Sequence, residues 1–158
     1  MNGTVRVGLD DFIRKIIKTI DAVELPVLNK TIKKGELLFS IKHNSHTINV
    51  SSPISGTVTL LNTEHVEHPE WVASKPFELS WMCCIDPSNL AGELPSLKIG
   101  VDSVNWYREE INKYNKIVSQ FEKERPAIGS STHGHDKARQ QKTDAKFLEE
   151  FAKAFPLG

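Results

Sequence analysis

The sequence has only two cysteines in 158 residues, and they are neighbours, Cys83 and Cys84. A disulfide framework needs partners far apart in the chain, so oxidative cross-linking is excluded as the source of stability and reduced thiols are expected. Long hydrophobic runs are missing too. The longest apolar stretches are a few residues, against the roughly 20 that cross a bilayer, and the N-terminus has neither a basic segment nor an apolar run of signal length. A cytoplasmic protein without membrane contact is therefore expected. There is also no excess charge of one sign. Twenty Lys and Arg balance twenty Asp and Glu, and residues 1–100 hold ten against eleven. A surface that tracks nucleic-acid phosphates would need a basic bias, so no nucleic-acid partner is expected. A Gly-rich phosphate loop, a GxSxG elbow and a paired-carboxylate context are all missing, which argues against an enzyme.

What is present reads as a chain of short strands with helices at the end, in about the length of one domain. Thr4 to Gly8 alternates as a strand. Asp10 or Asp11 can cap a helix of about two turns whose Phe12, Ile13, Ile16 and Ile17 form one apolar stripe. Ala22 to Val27 reads as a strand broken by Pro26, which cannot donate to a ladder and so marks an edge or an end. A turn is expected over Asn29 to Lys34. Leu37 to Ile41 and Thr47 to Val50 are β-prone runs separated by the polar interval Lys42 to His46, with Asn44-Ser45 as the tip of a hairpin. Pro53-Ile54-Ser55-Gly56 is a second turn, Thr57 to Leu61 a strand, Pro69 to Val72 a helical turn, and Ser80 to Ile85 a strand. Val104, Tyr107, Ile111, Tyr114, Val118 and Phe121 fall at helical spacing on one face. Residues 126–142 open with a Gly-, Ser- and Pro-rich stretch, PAIGSSTHGHD, and read as a flexible linker. After it, Phe147, Leu148, Phe151 and Phe155 share the face of a short amphipathic helix over 143–158 that could pack on its own domain or enter a groove on a partner.

The ordered segments VRVGLDDF, VELPVLNKTIKKGELLFSI, SSPISGTVTLLN and HPEWVASKPFELSWM, from about Thr4 to Tyr114, resemble the glycine cleavage system H protein family. Order and spacing agree as well as the single motifs, including Pro53, Ser55 and Gly56 in the turn and Pro69, Pro76 and Trp81 downstream. The resemblance implies an α+β, mainly β fold: a lipoyl-domain-like barrel-sandwich hybrid, a flattened β-barrel of two small antiparallel sheets with a C-terminal helix. The domain is then expected over residues 1–125. It further implies a carrier whose lipoyl arm, joined by an amide to a lysine at a hairpin tip, shuttles an aminomethyl group between partner enzymes while the protein supplies placement.

Counted without gaps from Gly35-Glu36 forward or Ser52-Pro53 backward, the family's lipoyl lysine falls on Ser45. The acidic residue three positions earlier is replaced by Lys42. A serine hydroxyl is un-ionised at neutral pH and lacks the reach of a lysine, so it cannot stand in as the acylated group without a dedicated base. Lys42 is the substitute amine, but alternation places it at the end of the incoming strand and not at the tip. No cofactor is therefore expected, and the expected function is a non-catalytic adaptor that contacts protein partners, such as oxidoreductases or glycine-cleavage-type enzymes, through His43, Asn44, Ser45, His46, Phe147, Phe151 and Phe155. The alternative is a carrier modified at another residue such as Lys42. No metal site is expected. His43 and His46 are the weak candidates, with no carboxylate or cysteine in the loop to complete a coordination shell. His65 and His68 read as loop residues and His133 and His135 as linker residues. In a strand, Cys83 and Cys84 point to opposite faces, so at most one thiol is expected in the core.

Overall fold

The computed structural model describes residues 3–124 apart from 18, 45 and 76–78. The linker, the tail helix and the histidines at 133 and 135 lie outside the described residues. The chain divides into two compact units, residues 1–97 and a second beginning at Lys98.

In the first unit seven strands form two antiparallel sheets. β1 (Val5–Gly8), β7 (Trp81–Pro87), β6 (Gly56–Leu61) and β3 (Thr31–Ile32) follow one another across a four-stranded sheet, and β2 (Ala22–Glu24), β4 (Leu37–His43) and β5 (His46–Ser51) form a three-stranded one. This is the expected two-sheet α+β fold, and its ladders do not close into a continuous barrel. The core contains Ile17, Ile32, Phe39, Ile41, Ile54, Val58, Val72, Met82 and Ile85, each no more than 2% exposed.

Local chemistry sets most of the elements. Asp10 takes an extended backbone and its carboxylate accepts the N–H of Ile13 at 2.8 Å, which starts helix α1 (Asp11–Ile16). β2 stops two residues before Pro26, at one edge of its sheet, as the missing N–H requires. The β4–β5 hairpin turns in two residues, between the paired His43 and His46, so both strands run further toward the tip than the β-prone residues alone indicate. Asn44 supplies the left-handed backbone such a turn needs, with φ of 53°. Short helices α2 (Glu64–Glu67), α3 (Trp71–Ser74) and α4 (Leu90–Glu93) and a 3-10 turn (Leu94–Ser96) also belong to this unit.

Three expectations are corrected by tertiary contacts. The turn over 29–34 contains β3, whose two residues pair with Thr57 and Gly56; two residues are too few to alternate. His65 is not a loop residue: α2 turns its imidazole inward, where it is 1% exposed and Nε2–H donates to the Leu79 carbonyl at 3.1 Å. Both cysteines are buried, Cys83 fully and Cys84 with 6% exposed, and both are free thiols. β7 lies between β1 and β6, and its four consecutive residues Met82 to Ile85 are all buried, so both faces of this strand are covered. Burial, with Cys84 next to it, pushes the Cys83 thiol up to about 12, and an unionised thiol is no nucleophile.

Helix α5 (Val101–Glu124) in the second unit confirms the helical spacing of residues 104–121. Val104 and Ile111 are exposed, whereas Tyr107, Tyr114 and Val118 are partly covered.

Candidate functional site

The β4–β5 hairpin carries the described candidates, and neighbouring segments brace it. Lys42 is paired with Thr47 across the hairpin and with Ala22 on β2, which places it on the strand and not in the turn. Ser40 and Lys42 are two residues apart on one strand face. Both meet the Glu24 carboxylate on β2: Ser40 Oγ donates to Oε2 at 2.9 Å, and Lys42 Nζ lies 2.5 Å from Oε1. The hydrogen bond from Lys42, then that from Ser40, holds the Glu24 carboxyl below the usual range. Lys42 and Glu24 are 47% and 57% exposed, so the pair is a solvated one.

The turn itself is held by the segment between α1 and β2. The Asp21 N–H donates to the Lys42 carbonyl at 2.8 Å, and the Asp21 carboxylate accepts the Asn44 N–H. His43 Nδ1 contacts the Thr19 carbonyl, which can only accept, so the ring proton sits on Nδ1. Nε2 is then the acceptor, and it takes the Asn44 side-chain N–H at 3.0 Å. Both ring nitrogens of His43 are thereby engaged. His46 stands opposite, with Nε2 buried and without a hydrogen-bond partner. The two imidazoles are brought together as the spacing suggests, but His43 has no free lone pair for a metal, and among the described residues no three His, Cys, Asp or Glu side chains converge on one point. Ser45, Phe147, Phe151 and Phe155 lie outside the described residues.

Two further arrangements are not legible from local sequence. Arg14 is 8% exposed and closes the C-terminal end of α3: Nε donates to the Val72 carbonyl at 2.7 Å, the guanidinium reaches the Lys75 carbonyl, and Asp11 pairs with it at 3.0 Å. The Glu93 carboxylate clamps the Pro53 to Gly56 turn, accepting the Ser55 N–H at 2.7 Å and its hydroxyl at 2.6 Å, and these two bonds hold its carboxyl below the ordinary range. The Ser55 hydroxyl also accepts the Lys34 N–H at 3.0 Å.

The two-sheet fold, the braced hairpin and the clamped turn after it are the frame in which residues 1–110 match the family model described as "Glycine cleavage H-protein". The chain belongs to the glycine cleavage H-protein family. It is 38% identical over 96 residues to a probable glycine cleavage system H protein of Pyrococcus abyssi, covering 61% of this chain and 71% of that protein. The glycine cleavage system H protein of Anoxybacillus flavithermus is 34% identical over 88 residues, 56% of this chain and 69% of that one. A crystal structure of a glycine cleavage system H protein from Mycobacterium marinum superposes with a TM-score of 0.53 at 25% identity, covering 56% of this chain and 69% of that one.

Membership in this H-protein family corrects the expectation that the chain takes no cofactor, because lipoate is the group this family carries. Lipoate is attached through an amide, which needs a primary amine, and Lys42 is the only lysine between Leu37 and Ser51. Its side chain is about half exposed and its Nζ meets the Glu24 carboxylate, so the amine fits an acyl attachment in chemistry while sitting on β4, short of the turn. Among the described residues no helix is long and apolar enough to cross a membrane.

Proposed function

We propose that this H-protein family member is a non-catalytic docking module of a glycine-cleavage-type system, and that the β4–β5 tip is the end it presents to partner enzymes. The module spans residues 1–125, with 126–142 as linker and the Phe147, Phe151 and Phe155 face of the tail as a second contact. One observation carries the reading: the described side of the tip is polar, and contacts from Thr19 and Asp21 hold the His43 ring and the Asn44 N–H. A pre-organised tip loses little freedom on docking, and so retains more of the contact energy as affinity.

The test is calorimetric titration of the chain with the separate enzymes of the glycine cleavage system. The native chain is expected to bind at least one. The double variant His43→Ala with Asn44→Gly, which keeps the backbone conformation of the turn, is expected to bind at least tenfold more weakly at an unchanged melting temperature. Equal binding by the double variant refutes the tip as the docking end.

A second reading, a carrier with its arm on Lys42, is favoured by that residue being the hairpin's only amine. Intact mass after co-expression with a lipoate ligase tests it: an added lipoyl group that disappears in Lys42→Arg supports it, and an unmodified native chain refutes it.

A further inference from the structure

Among the described residues β5 is an edge of its sheet, and it differs from the other edge strands. β2 has three residues, ends with Glu24 and runs into Pro26; β3 has two; β1 has four, with Arg6 among them. β5 has six, His46–Ser51, without a proline, a glycine or a charged Lys, Arg, Asp or Glu. Edge strands are ordinarily blunted by shortness, charge or proline, because unpaired N–H and C=O groups template the addition of another strand. None of these devices is present in β5. Its irregularity in register falls on β4, between Leu37 and Phe39, so the alternation along β5 is unbroken. In a two-residue hairpin the residues flanking the loop, here His43 and His46, exchange the first ladder bonds. The backbone groups of Thr47, Asn49 and Ser51 therefore point away from β4. On the faces, Thr47 and Asn49 are exposed, and Ile48 and Val50 are only partly covered.

We propose that this outer edge pairs antiparallel with the same edge of a second copy of the chain, about a twofold axis at Asn49. Self-pairing requires a strand whose pattern matches its own reverse, and β5 meets that requirement. With Asn49 opposite its counterpart, Thr47 faces Ser51 and Ile48 faces Val50. Hydroxyl meets hydroxyl on the outer face and apolar meets apolar on the core-facing one. The outward backbone groups at 47, 49 and 51 meet as hydrogen-bonded pairs, about six bonds in all. A slip of one residue sets Ile48 against Asn49 and destroys both matches. No like charges oppose each other in the pairing. The contact of one strand pair is small beside the ~1,200–2,000 Å² of a stable interface, so the dimer is a reversible one.

Sedimentation equilibrium of the full chain over a wide concentration range tests the proposal. The native chain is expected to pass from the mass of one chain to that of two as concentration rises. Asn49→Lys sets two ammonium groups face to face on the axis, and its dissociation constant is expected to rise at least tenfold, since directly opposed like charges weaken strand pairing. Asn49→Asp is expected to behave in the same way, and an equimolar mixture of the two variants is expected to associate again. The melting temperature of each variant, measured alongside, is expected to stay close to native because residue 49 is exposed. A native chain that remains at the single mass at every concentration, variants that associate like the native chain, or a mixture that fails to recover overturns the proposal.

Discussion

Replacing Gly56 by alanine tests the packing of the strand-rich unit at its tightest point. Gly56 pairs with Ile32 on β3 and Pro87 on β7, so it lies between two neighbours. A Cβ built there would sit 2.3 Å from the Asp86 carbonyl oxygen, 2.6 Å from Ile85 Cγ2 and 2.9 Å from Pro87 Cα. Two of these three atoms are backbone, so relief requires β7 to move by several tenths of an ångström or more. Overpacking of this kind costs about 1–3 kcal/mol, and a backbone clash belongs at the upper end. The restricted unfolded chain returns about 0.4–1 kcal/mol. The net loss is about 1–2.5 kcal/mol, or a fall of roughly 5–15 °C for a domain of this size. Gly92 is the control. Its added Cβ would lie 2.6 Å from Asn89, but the atoms are the end of a side chain that makes no capping hydrogen bond and can swing away. Within helix α4, alanine is favoured over glycine by up to about 1 kcal/mol, so Gly92→Ala is expected to be neutral or stabilising. Urea and thermal melts of both variants, with m-values compared, decide the matter. Loss of less than about 0.5 kcal/mol in Gly56→Ala, or equal loss in both, refutes the reasoning.

His65 gives a pH dependence of definite sign. Burial lowers its folded pKa below the ordinary 6.5, so the unfolded chain binds the proton more readily. The contribution of the neutral ring is full above pH 6.5 and is lost as pH falls toward the folded value; His65→Leu is expected to flatten the melting temperature over that acidic window. Ser55→Ala removes one of the bonds to Glu93 and is expected to cost about 0.5–1.5 kcal/mol in a denaturant melt. Arg14→Met leaves the carbonyls at the end of α3 without their donor and is expected to cost about 2–4 kcal/mol, measured in the same way. Glu24→Gln with Lys42→Met breaks a solvated pair and is expected to leave the midpoint of a denaturant melt at its native value.

The expected site was partly legible in the sequence. The hairpin tip at Asn44 was readable because a two-residue turn demands particular backbone chemistry, and Asn supplies it. The placement of Lys42 on the strand followed from alternation. The hydrogen bonds that brace the tip were not readable, since Thr19 and Asp21 come from a connection more than twenty residues away that has no pattern of its own. His65 misled for a similar reason: a polar loop reading rests on composition, whereas the fold supplied the Leu79 carbonyl that allows the imidazole inside.

By itself the sequence determined what neighbours three or four residues apart can settle, together with the ordered motifs that resemble the H-protein family. Asp10 caps α1 because its carboxylate reaches the Ile13 N–H, and Pro26 follows β2 because it cannot donate. Only the tertiary structure decided that β7 is covered on both faces, that Arg14 closes α3 58 residues away, that Glu93 clamps Ser55 and that β5 is left as an edge. Each depends on which strands and helices come together. Cap and turn preferences act within one turn of the chain, while burial and long-range hydrogen bonds are fixed by packing between elements.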